Sequence, residues 1–292
     1  MRSSMRSGVA GAASAMFLVG TLAGVSGLVK DYPVYGGQAV RYLVAAVVLL
    51  AVTRALGLRF VRLTGKEWAL LGALSLLGLV IFNVCVVESA RASGPALVGT
   101  VLGTVPLALA LAGGRPAPRL LTGAGVVVAG ATLATGLGSG TPAGLLWALG
   151  ALAGEIGFSL LAIPLLPKLG AMRVSAYSTV LAVPSLAAIG LVQDGTGALR
   201  MPTFAEAAGF GYLAIVVTVV AFCLWYTSLP KLGPGRAGLF AGLIPLGAIV
   251  TGLVLGVATP SGYDLLGAGL VIAGIAVGLT APPPGRVSLA AT

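Results

Sequence analysis

The groups able to move a proton or hold a charge are few in this chain: seven acids and no histidine in 292 residues. Of the acids, only Glu155 falls well inside an apolar stretch. An ionisable side chain in such a stretch costs about 2.5–3.5 kcal/mol on membrane-insertion scales, so it is a candidate functional group by default. On a helical wheel Ala148, Ala151, Ser159 and Ala162 share its face, while Leu146, Leu160 and Leu161 lie opposite. A carboxyl among small residues meets either a cavity or a closely packed helix. It can bind a cationic or amino group, or take up a proton. The competing reading is a protonated carboxyl that hydrogen-bonds a neighbouring helix and holds it in place.

The remaining candidates are polar or aromatic. Asn83 suits an interhelical hydrogen bond or a ligand contact. Gln38 and Arg41 stand one turn apart, with Arg41 open to a local electrostatic role, to Glu88 or to a carboxylate ligand. Tyr177 lies near the start of one apolar run, and Trp225 and Tyr226 near the end of the next. Such aromatics serve an interface belt or, in the sharper reading, a gate or stacking platform. Thr100 and Thr104 share a helical face, where threonine commonly bonds its own backbone. Glu88 and Arg91 form a local surface pair worth little.

These residues sit in a chain that is 58% hydrophobic and 8% charged, with a mean hydropathy of +1.08. Soluble domains carry about 25% charged residues, so a soluble enzyme, a disulfide scaffold and a disordered regulator are all excluded. The net charge of +10 does not indicate nucleic acid, because the bases are scattered between apolar runs. The expected class is an all-α polytopic membrane protein. Cutting at charges and prolines gives ten apolar segments near 8–29, 36–56, 66–87, 94–113, 119–137, 143–164, 174–193, 206–228, 236–256 and 263–281. Each is long enough to cross about 30 Å of hydrocarbon. The first is read as a membrane helix and not as a removed leader. The segment from 282 to 292, opened by three prolines, reads as a disordered cytoplasmic tail.

With ten crossings both termini share a side. If that side is cytoplasmic, only Lys30, Arg41, Arg91 and Arg200 of the 17 bases fall on the other, and the cluster Arg54, Arg59, Arg62 and Lys66 stays inside. The positive-inside rule therefore predicts two cytoplasmic termini.

Three spacings recur. Gly20-x3-Gly24-x2-Gly27 returns as Gly150-x3-Gly154-x2-Gly157, and Gly99-x3-Gly103-x2-Pro106 returns as Gly238-x3-Gly242-x2-Pro245. The eight-residue closing from Gly123 to Gly130, Gly-Ala-Gly-x-Val-x-Ala-Gly, returns from Gly267 to Gly274. Three matches in one order predict two five-helix units, residues 1–140 and 141–281. Because five is odd, the second is inverted in the membrane. Gly99, Gly103, Gly238 and Gly242 would allow close helix contact, and Pro106 and Pro245 a kink, so these six are the candidate gating positions.

The sequence resembles the drug/metabolite transporter superfamily in its ten-helix, EamA-like branch. The resemblance is carried by Arg41 opening the second helix, by Gly94-Pro95-Ala96-Leu97-Val98 with Pro106, by the two Gly-Ala-Gly closings, and by the stretch from Gly154 to Pro167. The chain departs from the family's usual Gly-Glu pair after helices four and nine, having Gly114-Arg115 and Gly256-Val257. The resemblance implies a transporter of small organic metabolites in the cell (inner) membrane, with efflux of amino acids or related compounds the expected activity. The two repeats would alternate access, and the transport would be secondary active or facilitative. A lipid flippase and a passive channel are the alternatives. A proton is the candidate coupling ion, the lipid bilayer and a solute are the expected partners, and a monomer or homodimer is the expected assembly. No enzymatic activity, cofactor, metal site or nucleic-acid partner is expected: the chain lacks a P-loop, a paired-carboxylate motif and a Cys-x2-Cys pair.

Overall fold

The computed structural model describes residues 2–114, 116–136, 140–256 and 259–281. The expected tail at 282–292, and with it Arg115, Val257 and Arg286, lies outside them. Among the described residues there are helices and no strand. Ten helical spans are long and apolar enough to cross a membrane: α1 (Ser3–Val29), α2 (Val34–Ala55), α3 (Gly65–Ser93), α4 (Pro95–Ala112), α5 (Pro118–Thr135), α6 (Pro142–Leu160), α7 (Leu166–Leu199), α8 (Phe204–Leu232), α9 (Pro234–Val254) and α10 (Gly262–Leu279). The chain is a multi-pass membrane protein.

Local chemistry sets the helix ends. Thr64 with Glu67, Thr203 with Glu206 and Ser261 with Asp264 form reciprocal capping boxes, in which each side chain takes an orphan backbone amide of the first turn. Prolines open α4, α5, α6 and α9, where the missing N–H costs nothing. Single glycines, Gly94 and Gly233, reverse the chain between α3 and α4 and between α8 and α9, at φ 77° and 75°. An L side chain is strained at those angles.

Several helices outrun the apolar segments. Helix α1 begins at Ser3, α3 continues to Ser93 past Glu88 and Arg91, and α8 reaches Leu232. The seventh begins at Leu166, with a break at Gly170 (φ 70°), so Lys168 and Arg173 lie within it. Charges mark where the apolar surface stops, whereas backbone bonding carries the helix further.

Packing interleaves the chain's two halves. Helix α1 lies against α8 and α9, and α6 against α3 and α4, while α2 pairs with α7 and α5 with α10. The two Gly-Ala-Gly closings meet each other in the last pair. A Cβ on Gly123 would stand 2.7 Å from the Gly274 oxygen, and one on Gly130 2.7 Å from the Gly267 oxygen. Adding 144 to Gly123 and subtracting it from Gly274 turns the first pair into the second, the reciprocity expected of two like segments that face each other.

Helices α3 and α8 share a second feature. Each contains a π-helical stretch, Leu76–Ile81 in one and Leu213–Val220 in the other. Such stretches widen the turn locally and frequently mark functional sites.

Candidate functional site

Glu155 sits on α6, which Pro142 opens and whose Thr141 cap accepts from the Gly144 amide. Its face is closed inside the bundle: Ala148, Ala151, Ser159 and Ala162 are fully buried, while Leu146 on the other side is 71% exposed. The helix lies directly on the π-helical stretch of α3, where Gly154 approaches the Leu77 carbonyl and Gly78 the backbone of Phe158. Glu155 itself is partly buried. Among the described residues no donor or cation pairs with its carboxyl, which is close enough to the Tyr226 phenol to interact with it electrostatically.

Helix α6 ends at Leu160, and the Tyr226 hydroxyl donates to the Phe158 carbonyl at 3.2 Å. Phe158, Phe222 and Tyr226 pack as a cluster with ring centroids 4.8–6.4 Å apart. Trp225 and Tyr226 are only 2% and 1% exposed, because α8 continues about two turns beyond them. This corrects the interface-belt reading, since both side chains are interior. The indole N–H of Trp225 and the hydroxyl of Ser159 are buried without a hydrogen-bond partner among the described residues. Tyr177, by contrast, is partly exposed and packs on Phe60 with ring centroids 5.8 Å apart. Asn83 uses its amide nitrogen on the Tyr42 hydroxyl (3.0 Å) and the Leu79 carbonyl (2.6 Å), which ties α2 to α3.

Gln38 and Arg41 come together at the other π-helical stretch. Arg41 is 5% exposed and donates from Nε to the Thr218 hydroxyl at 2.8 Å and from Nη1 to Gln38 Oε1 at 3.3 Å. Thr218 in turn donates to the Leu213 carbonyl, which leaves its lone pair facing the guanidinium. The Tyr42 ring lies 5.3 Å from the Arg41 carbon. Glu88 is not the partner of Arg41: it accepts from Tyr35 at 2.7 Å and from Arg91 at 2.8 Å. Gln38 and Arg41 line a cavity of about 180 Å³ between α1, α2 and α8. A wider cleft of about 610 Å³ lies between the ends of α5 and α10, but Asp264 there is committed to its own helix cap.

Sequence reasoning missed Thr218, Tyr42 and two ion pairs. Lys168 reaches Glu67 at 2.6 Å, and Arg200 grips Glu206. Arg200 also donates to the Asp31 carbonyl, and its own carbonyl accepts from the Tyr32 hydroxyl. The Glu206 carboxylate holds the Arg200 guanidinium above its usual pKa, and burial does the same for the Tyr32 phenol. The two capping boxes placed the glutamates; only the fold could bring their cations to them.

The candidate gating positions divide. Helix α4 breaks at Gly103-Thr104 before Pro106, and α9 passes through a 3-10 turn, Leu239–Gly242, before Pro245. Gly238 abuts Leu109, and Gly242 abuts Val127 and Val271, so neither could carry a side chain without displacement. Gly99 has only ordinary contacts, and Gly103 meets chiefly its own helix. Thr100 bonds the Ala96 and Gly136 carbonyls and Thr104 the Val101 carbonyl. No cluster of metal-ligating residues occurs among the described residues.

Ten apolar spans with lone polar groups held inside the bundle define, among the described residues, a polytopic membrane protein. Residues 142–280 match the EamA-like transporter family. The chain is also similar to the "Uncharacterized transporter YetK" of Bacillus subtilis (strain 168), with 27% identity over 257 residues, covering 83% of this chain and 78% of that protein. A solved crystal structure shares the fold at a TM-score of 0.77 and 21% identity, covering 95% of this chain and 96% of that one. These similarities support a membrane transporter whose second half, residues 142–280, resembles the EamA-like transporter family.

Proposed function

We propose that this protein carries small organic solutes, amino acids or related compounds among them, out of the cell across the inner membrane. Residues 1–140 and 141–281 act as inverted repeats that open a shared cleft to either side in turn. The amino and carboxyl ends face the cytoplasm, in keeping with the distribution of bases. The observation that carries this reading is Glu155: a carboxyl within a transporter bundle, facing inward, with no protein partner among the described residues. An ionisable group kept there against its insertion cost serves the solute or a coupling proton. Asn83, Ser159, Tyr177, Trp225 and Tyr226 belong to the same cleft. Flexing at Gly99, Gly103 and Pro106, and at Gly238, Gly242 and Pro245, lets the cleft change sides. The ion pairs Glu67–Lys168 and Arg200–Glu206 close opposite ends of the bundle.

The test is flux in proteoliposomes across a panel of radiolabelled amino acids, amines and organic acids, with Glu155→Gln beside the wild type. Saturable wild-type flux, lost or uncoupled from the proton gradient in a variant that inserts normally, is the expected result. Undiminished flux in Glu155→Gln removes that residue from the mechanism. Scrambling of fluorescent lipid without solute flux replaces the carrier with a flippase, and non-saturable flux replaces it with a channel.

A further inference from the structure

The cavity around Arg41 is lined by cationic and neutral polar side chains and by no carboxylate. Arg41 is 5% exposed, and no described residue accepts from its Nη2. Its two side-chain acceptors, Thr218 and Gln38, are neutral. None of the seven acids meets it: Glu67 is on Lys168, Glu88 on Arg91 and Glu206 on Arg200, Asp264 caps α10, Asp31 and Asp194 are exposed, and Glu155 stands on α6 against α3 and α4. Gln38 has turned its carbonyl to Arg41, and both N–H donors of its amide remain unused. The Ser26 hydroxyl donates to the Leu22 carbonyl and keeps only acceptor capacity, and Lys30 stands exposed at the rim. The opposing wall, Phe210 and Leu213, is apolar. A buried cation with free donors and no counter-charge is completed by an anion that brings its own acceptors.

The geometry points to this cavity as a binding site for the carboxylate of an organic acid or amino acid, with Arg41 as its principal ligand. The inference rests on the carrier reading and assigns one end of the solute within it. A planar guanidinium with unused N–H groups matches a carboxylate in a bidentate pair. About 180 Å³ accommodates a carboxylate and a short apolar stem, well below the volume of a drug-sized pocket. The apolar wall favours an organic acid over a fully hydrated inorganic anion. Lys30 at the mouth draws anions toward it. The site lies at the end of the bundle away from the amino terminus, where α2 begins and α8 is still in its first half.

The experiment compares matched acids and amides: L-phenylalanine with L-phenylalaninamide, and hexanoate with hexanamide. Binding to purified protein is read by thermal unfolding, with inorganic phosphate and phosphatidylglycerol nanodiscs as further probes. At least one acid is expected to bind about tenfold or more tightly than its amide, as loss of a charge-assisted pair implies. The preference should vanish in Arg41→Gln and survive in part in Arg41→Lys. The wild-type comparison stands without a variant, so it decides the matter even where Arg41→Gln does not fold. Amides binding as well as acids, or no acid binding at all, would overturn the assignment. So would a preference that survives in Arg41→Gln, or an Arg41-dependent response to phosphate or phosphatidylglycerol that equals that of the acids. Equal flux of acid and amide would leave the carrier intact and remove this role of Arg41. Arg41-dependent acid binding without flux would do the opposite.

Discussion

The contact between α5 and α10 can be tested with its own internal control. Gly123, Gly130, Gly267 and Gly274 lie in the seam, whereas Gly125 and Gly269, in the same repeated motif, have nothing within 4 Å of an added Cβ. An alanine methyl at Gly123 would stand 2.5 Å from the Gly278 Cα, and one at Gly274 2.7 Å from the Val127 nitrogen. Ordinary contact begins at 3.4 Å, so the backbones must part by about 0.7–0.9 Å. The obstructing atoms are main chain and cannot rotate away. Overpacking of this kind costs about 1–3 kcal/mol. Both sets of substitutions gain the same reduction in unfolded-chain entropy, about 0.4–1 kcal/mol. The gap between seam and control variants is therefore the steric term alone. Equilibrium unfolding in mixed detergent should show the four seam alanines about 1–3 kcal/mol less stable than Gly125→Ala and Gly269→Ala. Equal behaviour of the two sets would refute the close approach of these helices.

Two further outcomes follow from local geometry. Gly94→Ala and Gly233→Ala meet no atom within 4 Å but force an L residue to φ near 75°, so each should lose about 1–3 kcal/mol in the same unfolding assay through backbone strain alone. A double-mutant cycle between Asn83→Ala and Tyr42→Phe should give a coupling near 0.6 kcal/mol, the average for an interhelical hydrogen bond in a membrane, and a coupling of zero would mean that the bond contributes nothing.

Much of the site was legible because lipid narrows the choices. Glu155 stood out as a carboxyl in an apolar run, and the small residues on its face pointed inward. Gln38 and Arg41 were readable as neighbours from their spacing, and Thr100 and Thr104 as backbone-bonded. Their distant partners were not. Thr218 lies far along the chain from Arg41, and it faces the guanidinium from a π-helical stretch that no residue pattern announces. Trp225 and Tyr226 looked like interface aromatics because the apolar run ends near them; the continuing helix places them inside.

Composition and periodicity were enough to fix a helical chain with ten crossings, since a backbone in hydrocarbon must satisfy its own hydrogen bonds and a helix does so within a single segment. Those bonds are local, and so are the caps, the prolines and the glycine reversals that end each span. Which helix lies against which is another matter. The recurring glycines announced close contacts without naming the partner, and it took the assembled bundle to bring Gly123 to Gly274, α1 to α8 and α9, and Arg41 to Thr218. Apolar side chains are as well solvated by lipid as by one another, so the pairing depends on shape and on a few polar contacts between residues far apart in the chain.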